Sequence, residues 1–269
     1  MAGTEQEVER AASDLERTPA FRLLARTGYA VAGVLHVIIG IIAISIGLHA
    51  GGGRADQTGA LRSITHAPGG IVLVWAMILG LGALGVWQVA RSITAEQRDE
   101  KLRWRSRLSA WGQAIGYLFL AGIGISVAVG GGKGATGKTL TAQLLHVPGG
   151  VVLLVAVGLG VLGAGVYFVV KGVRRSFLDD LRRPTTAIRD VIEVVGVAGF
   201  VAKGIALSVL GVLLVIAAAT ADPDKSGGLD QAFQAVVRLP FGEVLVVLIG
   251  IGFIAYGVYC GFRARYAKL

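Results

Sequence analysis

The chain has 269 residues, of which 54% are hydrophobic, 16% are charged and 41 are glycine, with a formal net charge of +9. Its apolar residues run unbroken for roughly 20 positions at a time instead of recurring with an amphipathic period, which excludes an ordinary soluble domain. The basic residues are split among separate short segments, so a continuous nucleic-acid-binding patch is not expected and no nucleic-acid partner follows.

Residues 1–22 form a polar tail carrying Glu5, Glu7, Glu9, Asp14 and Glu16, without the apolar centre of a cleavable signal peptide. Six apolar stretches follow, at about 26–49, 69–90, 110–130, 149–170, 191–220 and 241–262. Backbone groups in lipid must be satisfied within their own segment, so each stretch is predicted as a helix. The expected fold is all-α and polytopic, with six transmembrane helices in three parallel two-helix repeats and a pseudo-threefold ring as the natural packing. Repeat 1 is placed at 23–94, a basic loop at 95–108, repeat 2 at 109–178, a second basic loop at 179–190, and repeat 3 at 191–269.

Nineteen Lys and Arg fall in the tail, the 91–108 and 171–190 loops and the C-terminus, against six in the three remaining loops. That bias predicts cytoplasmic termini, and attraction to anionic lipids of the bilayer. The single cysteine, Cys260, admits no internal disulfide.

The repeat shows best in the even helices. Gly80-x4-Gly85-x-Trp87-x3-Arg91 returns as Gly160-x4-Gly165-x-Tyr167-x3-Lys171 and as Gly252-x4-Gly257-x-Tyr259-x3-Arg263. In the odd helices Gly28-Tyr29-x3-Gly33-x6-Gly40 matches Gly199-Phe200-x3-Gly204-x6-Gly211, while the second repeat keeps only Gly116. Gly33, Gly40 and Gly47 are seven apart and form one small-residue stripe, which lets a neighbouring helix backbone approach. The hairpin loops correspond too, with His66-Ala67-Pro68-Gly69-Gly70, His146-Val147-Pro148-Gly149-Gly150 and Arg238-Leu239-Pro240-Phe241-Gly242. Proline suits the first turn of a helix because its N–H is not needed there.

These motifs, with Pro-x-Gly opening even helices, resemble the bacterial membrane-protein family catalogued as domain of unknown function 1206, over about residues 25–269. The third repeat fits best, through Ala202-Lys203-Gly204 and Leu239-Pro240-Phe241-Gly242. The resemblance implies six helices in a bacterial plasma membrane. It implies no activity, substrate or catalytic residue.

Two formal motif matches lack their context. Gly132-Lys133-Gly134-Ala135-Thr136-Gly137-Lys138-Thr139 spells a nucleotide P-loop, but a membrane helix precedes it where a strand is required, so it reads as a flexible external loop. The mid-helix glycines Gly80, Gly82 and Gly85 spell a dinucleotide fingerprint whose N–H groups would already be bonded within the helix. No cofactor follows from either.

Lys203 is the sharpest single residue. It lies about ten residues into the fifth stretch, roughly 15 Å deep, where a charge costs on the order of 2.5–3.5 kcal/mol even on the lenient insertion scale. Its repeat equivalents are the apolar Ala32 and Ile115. His36 lies at similar depth, and Gln88 and Gln113 extend a candidate polar interior that binds a small anionic ligand or lipid or couples to protons. His66, His146 and Arg238 are outer-rim candidates. Two histidines beside an arginine make a poor metal set, so no metal is expected. An enzyme is the weakest reading, because no nucleophile–base pair or carboxylate pair lies at membrane depth. The favoured reading is a small transporter, channel-like or ligand-binding protein with its site between repeats around Lys203 and His36. The alternative is a structural or assembly protein whose Gly-rich faces pack against a second copy or another membrane protein.

Overall fold

A computed structural model describes residues 19–49, 55, 57–65, 69–94, 111, 114, 116–118, 121–125, 127–129, 137–182, 186–222, 225 and 228–267. All the extended elements among them are helical. Helix α1 spans Pro19–Gly47, α2 Gln57–Thr65, α3 Gly70–Thr94, α4 Gly137–Leu145, α5 Gly150–Val173, α6 Thr186–Thr220, α7 Leu229–Val237 and α8 Gly242–Tyr266. A 3-10 turn at Ser176–Asp180 links α5 to α6, and a further apolar helix runs over Gly116–Ile125 between α3 and α4.

Four helices are long and apolar enough to cross a bilayer: α1 from Arg26, α5, α6 and α8. Gly70–Ala83 within α3 and the Gly116–Ile125 segment are shorter apolar helices. Large side chains such as Val152, Leu159, Val170, Val194, Leu248 and Ile251 stand exposed along the long helices. A soluble monomer rarely presents so much contiguous apolar surface, whereas a helix facing lipid requires it. The protein is membrane-embedded.

Antiparallel seams hold the helices together, and glycine makes two of them close. On α1, a Cβ at Gly33 would meet the Gly257 carbonyl at 2.8 Å, and Gly47 would meet the Glu243 carbonyl of α8 at 2.9 Å. Gly250 in turn lies under the Gly40 carbonyl. The α5–α6 seam repeats the arrangement, with Gly165 under the Gly204 carbonyl and Gly211 under that of Gly158. The third seam follows the same pairing of an odd helix with the even helix of the preceding repeat: Gly85 of α3 meets Leu118, and Gly124 meets Ile78. Isoleucine has replaced the glycine at position 78, so this seam relies on side-chain interdigitation. Within repeats, α1 packs on α3 and α6 on α8. Packing of this kind supplies association energy where lipid offers no hydrophobic drive.

One end of the molecule, here the turn end, carries three nine-residue helices, α2, α4 and α7. Sequence reading treats these stretches as loops. They are amphipathic caps: Leu229, Ala232, Phe233 and Val236 of α7 fall on one buried face at helical spacing. In α4, which begins at Gly137, the expectation of a flexible loop over 132–139 gives way to helix, and Thr141 is buried; residues 132–136 lie outside the described residues. Each cap ends in a tight turn into the next long helix. A Cβ at Gly70, Gly150 or Gly242 would run into the carbonyl of Ile64, Leu144 or Val236, so only glycine fits there.

Candidate functional site

At the opposite end, where α1 begins and α8 finishes, the linker after α5 straps the bundle. Leu181 bridges Ala267, with the Arg182 N–H donating to the Tyr266 carbonyl at 2.7 Å. The turn before it pushes Phe177 under Gly196, into a cluster with Phe200 at 5.1 Å and Tyr259 at 5.3 Å between ring centroids. Phe200 is the hub, also 5.2 Å from Tyr256 and 5.8 Å from Phe168.

Lys203 projects into the upper edge of this cluster. Its Nζ lies 4.2 Å from the centroid of Tyr256 on α8 and 5.0 Å from that of Phe168 on α5. The other face of the neighbourhood is His36 of α1, whose ring is 4.7 Å from Tyr256 and stacked on Phe253 at 5.8 Å. His36 Nδ1–H donates to the Ala32 carbonyl at 2.7 Å, which sets Nε2 as the acceptor of the neutral ring. Side chains from all three repeats therefore converge here: His36 from the first, Phe168 from the second, Lys203 and Tyr256 from the third. Lys203 and His36 share Tyr256 as a neighbour.

Cation–π contact with a desolvated ring contributes about 2 kcal/mol. Two rings therefore offset much of the cost of placing Lys203 at this depth, about 2.5–3.5 kcal/mol on the lenient scale. They do not neutralise its charge. Among the described residues no carboxylate pairs with Lys203; the ion pairs lie elsewhere. Glu193 binds Arg175 at 2.6 Å at one end, and Glu243 lies 3.7 Å from His49 at the other.

Of the five remaining sequence candidates, the structure describes the side chains of two. Gln88 lies on α3 with its side chain outside the description, and Gln113 and His66 fall outside the described residues. His146 and Arg238 sit exposed in the turns that end α4 and α7. Sequence reasoning missed Tyr256, Phe168 and Phe253, which hold Lys203 and His36 in place. A signal for Tyr256 existed: aligning the glycines puts Leu84 and Ala164 at its position, so the third repeat departs from the others at both Lys203 and Tyr256.

A helical membrane protein built from three sequence repeats, with four helices long and apolar enough to span a bilayer, is the class this architecture defines. The chain belongs to the family described as Domain of Unknown Function (DUF1206), whose pattern matches three times, at residues 27–95, 108–175 and 198–267. It is similar to the uncharacterized protein YxxB of Bacillus subtilis (strain 168), with 28% identity over 260 residues, spanning 94% of each chain. No solved structure matches it.

Proposed function

We propose that this protein is a ligand-binding protein of the bacterial plasma membrane, with six spans and cytoplasmic termini, that holds a small anion or acidic lipid between its repeats at Lys203. Passage of that ligand through the bundle, as in a small transporter or channel, is the extension of this reading. The observation that supports it is a lysine ammonium held on aromatic faces, with no carboxylate pairing with it among the described residues and with His36 beside it. An intramembrane charge without an internal counter-ion is a functional site by default.

Native mass spectrometry of the gently extracted protein, wild type against Lys203→Leu, tests it. A bound anionic molecule or lipid present in the wild type and absent from the variant is the expected result. Identical spectra, with the variant at least as stable, would remove Lys203 as a binding group.

The scaffold reading keeps one supporting observation. The Gly33/Gly40/Gly47 and Gly204/Gly211 faces are consumed by seams inside the chain, but Gly160 and Gly163 on α5 have open space beside them. With Ala156 and Ala164 they make a small-residue face of the kind that pairs membrane helices. Loss of a dimer on Gly160→Leu, measured by mass in detergent or nanodiscs, would move the balance to assembly.

A further inference from the structure

Two polar residues of the candidate site come from different repeats and face the same way. Successive residues of an α-helix turn by about 100°. Lys203 of α6 therefore lies opposite Ile205 and Val212, and His36 of α1 lies opposite Val34 and well round from Ile41, all four of them exposed side chains of the lipid-facing surface. Neither polar residue is sealed: both are half-buried, so their free area opens toward the interior of the bundle and not toward lipid.

The two meet at one ring. Lys203 Nζ lies 4.2 Å and the His36 ring 4.7 Å from the centre of Tyr256, so a molecule only a few atoms long, lying along that ring, reaches both. Phe168 stands 5.0 Å from Nζ and Phe253 5.8 Å from the His36 ring. Inside these aromatic neighbours the two anchors ask for different partners. An ammonium has three donors and no acceptor, and takes an anionic oxygen. His36 Nδ1 is 2.7 Å from the Ala32 carbonyl, which only accepts, so Nδ1 carries the hydrogen and Nε2 of the neutral ring is left as an acceptor. No hydrogen bond joins Nε2 to another described residue. Its complement is a donor. A charged donor would set a second cation beside Lys203 among apolar rings, whereas a hydroxyl adds no charge to bury.

We propose that His36 is the specificity-determining residue of this site, accepting a hydrogen bond at Nε2 from a hydroxyl of an anion held by Lys203, so that the ligand is a small hydroxylated anion. A site built to hydrogen-bond a hydroxyl rejects the analogue without it, because the acceptor is then left unpaired. This rests on the binding reading of Lys203 and adds to it a second residue and a ligand class. The hydroxylated anion is either a free hydroxy acid or a glycerol-bearing phospholipid headgroup, and the two sources separate experimentally.

The test is calorimetric titration of the full chain in a non-ionic detergent. The probes are 4-hydroxybutyrate and a short-chain phosphatidylglycerol, each with its O-methyl ether, and butyrate and phosphatidylethanol as their hydroxyl-free counterparts of equal charge. Wild type is compared with Lys203→Gln, with His36→Phe, which keeps a stacked ring without the acceptor, and with His36→Gln, which keeps an acceptor without the ring. Each is first shown to be monodisperse and helical. The expected result is that the wild type binds a hydroxylated probe at least about fivefold more tightly than its hydroxyl-free counterpart, within the range for one neutral hydrogen bond. That preference disappears in His36→Phe and survives in part in His36→Gln, while Lys203→Gln weakens hydroxylated and plain anions alike. A preference within the acid pair identifies a free ligand; one within the lipid pair alone identifies a headgroup. Equal affinity for hydroxylated and plain anions in the wild type, or a preference unchanged in His36→Phe, overturns the role of His36, and leaves the Lys203 reading standing where Lys203→Gln still weakens binding. Absence of any anion binding in the wild type overturns both. Should His36→Phe fail to fold, the ethers decide in the wild type alone: an ether cannot donate, so ethers that bind as tightly as the parent alcohols overturn the proposal.

Discussion

Lys171 and Arg263 occupy the same position of the repeat, yet they end in different chemistry. Lys171, in the last turn of α5, meets Asp180 at 2.7 Å and stays near the rim of the aromatic cluster, 5.7 Å from Phe200. Arg263, in the last turn of α8, lies on Tyr29 with its Nε unpartnered. The partner of Lys171 comes from the linker after α5, whereas among the described residues no carboxylate pairs with Arg263. Repeat 2 thus pairs its cation with an acid of its own linker, and repeat 3 lays its cation on an aromatic ring. Equivalent positions of a duplicated scaffold can therefore diverge in chemistry while keeping the same backbone packing.

If the difference is one of charge and not of packing, the seams of the two repeats should respond alike. Gly165 and Gly257 are equivalent, and a Cβ at either would meet a backbone carbonyl of the neighbouring helix, that of Gly204 at 2.7 Å and that of Gly33 at 2.6 Å. Leucine at either position should cost about 3 kcal/mol or prevent assembly, the upper end for overpacking. Leucine at Gly163, which has open space, should cost almost nothing. Thermal unfolding in detergent followed by circular dichroism would show the pattern, and a large difference between the Gly165 and Gly257 variants would end the equivalence.

Charge substitutions should then differ in size. Asp180→Asn removes the partner of Lys171, whose side chain is 16% exposed, and should lower stability by about 1.5–3 kcal/mol, the range for a hydrogen bond to a charged group. Lys203→Leu orphans no carboxylate, and because the lost contacts with Tyr256 and Phe168 roughly cancel the insertion cost that is relieved, it should leave the ligand-free protein within about 1 kcal/mol of wild type. Melting temperatures of delipidated samples would compare the two. A Lys203→Leu variant as damaged as Asp180→Asn would mean that its aromatic contacts, not a missing ligand, account for the lysine.

The residues differ in how far sequence exposes them. Gly33, Gly40 and Gly47 announce a close seam, because a seven-residue spacing of small side chains has one physical use in a membrane helix. Of their partners, Gly257 is legible as a repeat position and Gly250 is not, and neither shows as the opposite face, since one chain does not say which helix neighbours which. The depth of Lys203 follows from counting residues, and His36 shares it. Arg263 was hidden by its context: in sequence it is one of many basic residues at a helix end, and only the inward turn onto Tyr29 separates it from Arg265. The caps α2, α4 and α7 went unread because nine residues are too short for periodicity to stand out between glycine-rich stretches.

The smallest effect sharpens the comparison at the turn end, where repeat 3 again departs. Gly69 and Gly149 adopt φ of 74° and 81° before α3 and α5, and Phe241 takes φ of 60° at the same step before α8. Left-handed backbone costs a residue with a Cβ about 1–2 kcal/mol, and glycine nothing. Phe241 is 86% exposed, so its ring recovers little of that cost by packing within the chain. Phe241→Gly should therefore stabilise the protein in detergent by about 1 kcal/mol, net of the freedom glycine adds to the unfolded chain. Melting in lipid nanodiscs supplies the contrast. If the gain seen in detergent shrinks or reverses in the bilayer, the ring is held by the interface, where an aromatic flanked by Leu239 and Arg238 is suited to lie. A gain of the same size in both would leave the strain at Phe241 without an identified compensation.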